Sequence, residues 1–183
     1  MTTRTLLAAA VVVTLGACAS APPMPMFSQA ALPDAVRVPA GFAVAMETVG
    51  VGEITYECKA KAGPSAMAGE FEWVFVGPKA VLNDRSGRTV GSYYGPPATW
   101  QAADGSKITG AQLAVAPASA GNIPLQLVKA NAAMGSGAMM GISHIQRVAT
   151  RGGVAPTMPC AAASMGQRQV VAYQADYIFY KAM

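Results

Sequence analysis

The chain has 183 residues, 52% of them hydrophobic and only 12% charged, with 13 Lys+Arg against 9 Asp+Glu for a formal net charge of +4. That length can bury the core of one ordinary domain, and so few charges exclude a disordered chain of the highly charged kind. Lys and Arg form no cluster or stripe, so no nucleic-acid partner is expected.

The first element is an address. Residues 1–20 read MTTRTLLAAAVVVTLGACAS, with Arg4 ahead of an apolar run from Leu6 to Leu15. That run is shorter than the roughly 20 residues needed to span a bilayer and has the layout of an export signal. Leu15-Gly16-Ala17-Cys18 resembles the bacterial lipobox, in which the cysteine becomes the lipidated first residue of the mature chain. The expectation is a signal peptide over 1–17, lipid on Cys18, and attachment to the outer membrane on its periplasmic face. Stable anchoring requires more than one acyl chain, which a triacylated cysteine supplies. Pro22, Pro23, Pro25 and Pro33 then disfavour helix, and residues 18–38 read as a tether.

From residue 39 to 183 the chain reads as a single domain of strands. Ile54, Tyr56, Cys58 and Ala60 alternate with polar residues, as do Phe71, Trp73 and Phe75, which puts each set on one face of a strand. Further strands are predicted over 42–48, 80–83, 89–94, 107–115, 123–128, 140–150 and 169–181. In the last, Val171, Tyr173, Ala175, Tyr177 and Phe179 share a face, and Ile178 and Tyr180 make the other partly apolar. Asn83-Asp84-Arg85-Ser86-Gly87, Gly95-Pro96-Pro97, Ala103-Asp104-Gly105-Ser106, Gly121-Asn122 and Gly152-Gly153 supply turns. Residues 130–138 offer one short helix, weakened by Gly135 and Gly137. The pattern predicts an all-β antiparallel sandwich or barrel of roughly eight to ten short strands.

With Cys18 assigned to lipid, Cys58 and Cys160 remain, an even number that in an exported chain points to a disulfide; two buried free thiols are the alternative. A bond closing so long a loop is worth roughly 4.7 kcal/mol in the chain-entropy model. No metal or cofactor is expected, because the chain has one histidine, His144, and no CxxC.

Several segments together carry a family likeness. They are Ile54-Thr55-Tyr56-Glu57-Cys58, Trp73, Val90-Gly91, Gly95-Pro96, Thr99-Trp100, Asp104-Gly105-Ser106-Lys107 and Ile123-Pro124. Ile145-Gln146-Arg147-Val148-Ala149-Thr150-Arg151-Gly152-Gly153, Ala155-Pro156, Cys160 and the run Val171 to Tyr180 complete the series. In this order, over about residues 35–181, the chain resembles domain-of-unknown-function family 3455 of exported bacterial and fungal proteins. The resemblance implies one domain and the same cysteine pair, and no established reaction. It also implies a histidine after the Val-Gly step, where this chain has Ser92-Tyr93-Tyr94. Some fungal members carry a malate dehydrogenase name. The nearest glycine pattern, Gly135 to Gly141, lacks the spacing and the βαβ setting of a nicotinamide site.

No catalytic constellation emerges. A nucleophile needs a base and an orienting group, and His144 sits in a strand-like run. Most acidic residues occupy solvent faces of alternating strands. The most suggestive surface combines Tyr93, Tyr94 and Trp100 with Asp104; the competing reading makes Trp100 a core plug and Asp104 a turn residue. Arg147 and Asp176 stand out as lone charges inside strand-like runs, read as a partly buried pair or as bonds to turn backbone. The favoured function is a non-enzymatic envelope lipoprotein whose β domain binds a ligand or partner, such as an envelope polymer or protein. The alternative is an enzyme acting on cell-wall or extracellular polymer through carboxylates brought together by folding.

Overall fold

The computed structural model describes residues 27–183 apart from 65 and 68. Eight strands follow in order: β1 (Phe42–Ala60), β2 (Phe71–Asn83), β3 (Thr89–Tyr94), β4 (Thr99–Ala102), β5 (Lys107–Ala116), β6 (Leu125–Ala130), β7 (Ile142–Gly152) and β8 (Arg168–Ala182). Each pairs antiparallel with the next, and β1 pairs with β8, so the sheet closes into an up-and-down barrel. Closure leaves no free sheet edge around a complete ring. Of sandwich and barrel, the chain forms the barrel. Its described helical turns are two short 3-10 segments, Asp34–Val36 and Ala162–Ser164.

Alternation decides which side chains enter the barrel. Ile54 and Tyr56 of β1, Ala80 and Leu82 of β2, Tyr93, Trp100, Ile108, Val128 and Ile145 pack inside with Tyr173, Ala175, Tyr177 and Phe179 of β8. Glu53, Lys59, Lys79, Lys129 and Arg151 are exposed. Charged residues outside and apolar ones inside reverse the pattern of a bilayer-spanning barrel.

Two strands are longer than their sequence pattern indicates. β1 joins the strand predicted over 42–48 to the alternating run Ile54–Ala60, passing through Gly50 and Gly52. A Cβ on Gly50 would lie 2.6 Å from the ring of Tyr177, so the glycine makes room for an interior aromatic. β2 joins the alternating run Phe71–Phe75 to the strand predicted over 80–83, passing through Gly77-Pro78. Pro78 is tolerated because β3 pairs only with Lys79–Asn83, leaving the earlier half of β2 without a paired strand on that side. Conversely, β4 was not among the expected strands; at four residues it is too short to show a period. The helix expected over 130–138 does not form. That segment is the β6–β7 loop, with Gly135 and Gly137 at positive φ.

The barrel has two unlike ends. At the end holding the β4–β5 turn and the β6–β7 loop, Met139 is fully buried and plugs the interior. Asp104 fastens this plug: its carboxylate accepts bonds from the Ser106 hydroxyl (2.6 Å), the Ser106 N–H (2.9 Å) and the Ala138 N–H (2.8 Å). These bonds hold its pKa below the ordinary 3.8, the Ser106 hydroxyl contributing most. At the other end, Cys58 of β1 bonds Cys160 in the β7–β8 loop with Cα atoms 5.5 Å apart.

Residues 27–38 correct the sequence reading of a tether extending to 38. They form a strap across the outer wall, burying Val36 and Val38 against Leu127, Val148, Ile178 and Tyr180. Gln146 is the buried fastener: its Nε2 donates to the Val36 carbonyl (2.6 Å) and to Gln29 Oε1 (3.0 Å), while its Oε1 accepts from the Tyr180 hydroxyl (2.6 Å). Burial, with the Glu47 charge second, pushes the Tyr180 phenol up to about 12. Cys18 and the expected signal peptide lie outside the described residues.

Candidate functional site

A cavity of about 280 Å3 opens at the disulfide end, lined by Phe75, Pro78, Tyr93, Pro96, Trp100, Gln112, Gln126, Val128 and Arg147 among others. Strand length creates it. β3 and β4 end at Tyr94 and Thr99, whereas β1, β2 and β8 continue beyond that level. The loop Gly95-Pro96-Pro97-Ala98, with both prolines cis, forms the sill of the resulting notch. Gly77 lets β2 touch this loop, because a Cβ there would meet the Gly95 carbonyl and Pro96 Cδ.

The floor is aromatic. Tyr93 stacks on Trp100 with centroids 4.8 Å apart, and Tyr177 packs against both at 4.9 and 5.9 Å. Tyr173 and Tyr177 share a hydroxyl–hydroxyl bond of 3.2 Å, and the Tyr56 hydroxyl donates to the Gly153 carbonyl at 2.8 Å. Burial raises the pKa of all four tyrosines, so the phenols stay protonated as donors. At the rim, Phe75 stands 52% exposed, edge-on to Tyr56.

Arg147 is the cation of this mouth. Period-2 alternation with the buried Ile145 turns it inward, between Gln126 of β6 and Tyr177 of β8. Its Nε and Nη2 donate to the Pro124 carbonyl at 3.2 and 3.0 Å. Asp176 lies elsewhere: with Glu47 on the outer wall it grips Arg85 from the β2–β3 turn at 2.7 and 2.9 Å. Of the two readings of these lone charges, Arg147 makes the turn-backbone bond and Asp176 makes an ion pair with a different arginine.

The four residues singled out as one surface separate in the fold. Tyr93 and Trp100 meet inside the barrel and line the mouth. Tyr94 faces outward, its hydroxyl bonded to Gln101 Oε1 at 2.9 Å. Asp104 lies at the opposite, plugged end. Arg147, Phe75, Gln112 and Gln126 join the site instead. Arg147 was the legible one, since an arginine in phase with Ile145 must point where Ile145 points.

Two carboxylates, Glu47 and Asp176, converge, but on Arg85 at the outer wall and away from the mouth. Glu57 pairs with Arg168 and Lys59, Glu70 with Lys61, Asp84 with Arg88 and Asp34 with Arg37, and among the described residues no acidic one lines the mouth. Among the described residues no group of three His, Cys, Asp or Glu could hold a metal ion. A larger, more open hollow of about 600 Å3 lies on the outer wall of β1–β3, between Val51, Val81 and Tyr94. Its surface is mainly apolar, with Glu53, Lys79 and Ser92 also in the lining.

Fold and site define a class: a closed eight-stranded meander barrel, plugged at one end and opening at the other into an aromatic mouth with one cation. The chain belongs to the DUF3455 family, proteins of unknown function, whose family profile matches residues 39–181. No curated protein and no solved structure matches the chain.

Proposed function

We propose that this protein is a lipid-anchored binding module of the bacterial envelope, held at the membrane through Cys18 and taking a small ligand into the barrel mouth. The observation that carries the binding half is the mouth itself. Eight strands enclose an interior wide enough for side chains or for one small ligand. Here Met139 fills one end, and the other keeps a cavity of about 280 Å3 between aromatic walls and three long polar side chains. A ring-sized ligand fits, since benzene occupies cavities of about 150 Å3. The alternative reading, hydrolysis by paired carboxylates, finds no pair facing this cavity.

Two experiments test the proposal. In cells, Cys18→Ala is expected to release the protein from the membrane fraction; retention as firm as before would refute the anchor. In the purified protein, ring-bearing small molecules are expected to quench or shift tryptophan fluorescence saturably. Phe75→Ala should weaken that response at unchanged melting temperature, because this ring is half exposed. A response indifferent to Phe75 would place binding elsewhere.

A further inference from the structure

Arg147 and Trp100 both carry unspent hydrogen-bonding capacity at the same cavity. A guanidinium has five N–H donors. Arg147 uses Nε and Nη2 on one carbonyl, and Nη1 has no protein acceptor among the described residues. None of the ion pairs among those residues includes Arg147, so its half-buried charge faces tyrosines and glutamines without a counter-ion. The indole N–H of Trp100 is buried and has no partner either. Leaving a buried donor unmatched is unfavourable, and Arg geometry matches a carboxylate through two parallel bonds. Both free polar groups singled out here, the Arg147 Nη1 and the Trp100 indole, are donors. The walls that complete the cavity, Tyr93, Trp100, Phe75, Pro78 and Pro96, are flat or cyclic.

From this we infer that the mouth selects a small ring-bearing carboxylate, its acid group on Arg147 and its ring against the Tyr93–Trp100 wall. The inference rests on the binding reading above and adds the charge and shape of the ligand.

The chain has two tryptophans, which makes the test direct. Trp73 Nε1 already donates to the Met158 carbonyl at 2.8 Å, whereas Trp100 Nε1 has no partner among the described residues. In 15N-labelled protein, benzoate should move the indole N–H signal of Trp100 saturably and leave that of Trp73 in place. Benzamide, equal in shape and neutral, should bind at least tenfold more weakly. Arg147→Met should erase that preference and Arg147→Lys should keep part of it. Equal binding of benzoate and benzamide to the unaltered protein, or a preference that survives Arg147→Met, would overturn the anion inference and leave the mouth as a binding site. If neither probe moves Trp100, the inference and the binding reading fall together.

Discussion

His144 is the chain's one histidine, and it gives a clean view of how a single side chain couples to pH. It is 6% exposed on the barrel wall, with its ring edge-on to Phe42 at 4.5 Å. Burial first, and the Lys129 charge second, hold its pKa below the ordinary 6.5. The folded state therefore favours the neutral ring more than the unfolded state does. Its contribution to stability is complete above pH 6.5 and is lost as pH falls through the lowered folded value. Melting temperatures measured from pH 7.5 to 5 should fall, and His144→Gln should flatten that part of the profile. A slope unchanged by the substitution would show that other groups set it. Nothing in the sequence around His144 announced this burial: Ser143 and Lys129 are polar neighbours, and Phe42 arrives from a strand a hundred residues earlier.

At the scale of elements, the strap over 27–38 depends on one buried amide. Gln146 satisfies the Val36 carbonyl and the Tyr180 hydroxyl together. Gln146→Leu keeps the volume and strands both partners, which predicts a loss of about 1–3 kcal/mol, read by denaturant unfolding, with faster hydrogen exchange over 29–38. The faces of β1, β2 and β8 were legible because an alternating sequence leaves little choice of side. Boundaries were not. Gly50, Gly52 and Pro78 lie between the predicted segments, and only the pairing register shows that two glycines accommodate cross-strand neighbours and that the proline lies beyond the reach of β3. The strap was hidden for a related reason. Prolines argue against helix but do not distinguish a free linker from an extended segment laid on a wall. The mouth was half legible: Tyr93 and Trp100 stand out as aromatics, but their union with Arg147 is made by closing β3 to β8 into one ring.

For the whole molecule, the largest single constraint is the bond between Cys58 and Cys160, which spans 102 residues. Replacing Cys160 by Ser should cost about 2–5 kcal/mol, the usual range for loss of a native disulfide, measured against the oxidised parent by thermal or urea unfolding. A change below 0.5 kcal/mol would mean that the barrel ladders alone hold the β7–β8 loop. The two reactions that keep this fold intact, sheet closure and thiol oxidation, meet at one place, since Cys58 lies on β1 close to where β1 and β8 pair at Glu57 and Arg168.

That bond also changes the connectivity of the chain. Strands β2 to β7 lie on a covalent circle from which the greater part of β1 and all of β8 emerge as two free arms. A protease that nicks any loop within the circle, such as the exposed β2–β3 turn at Ser86-Gly87, opens the circle without dividing the molecule. The product should migrate as a single species until a reductant is added and then split in two. One staple placed near the seam turns a first cut from a severance into a scar.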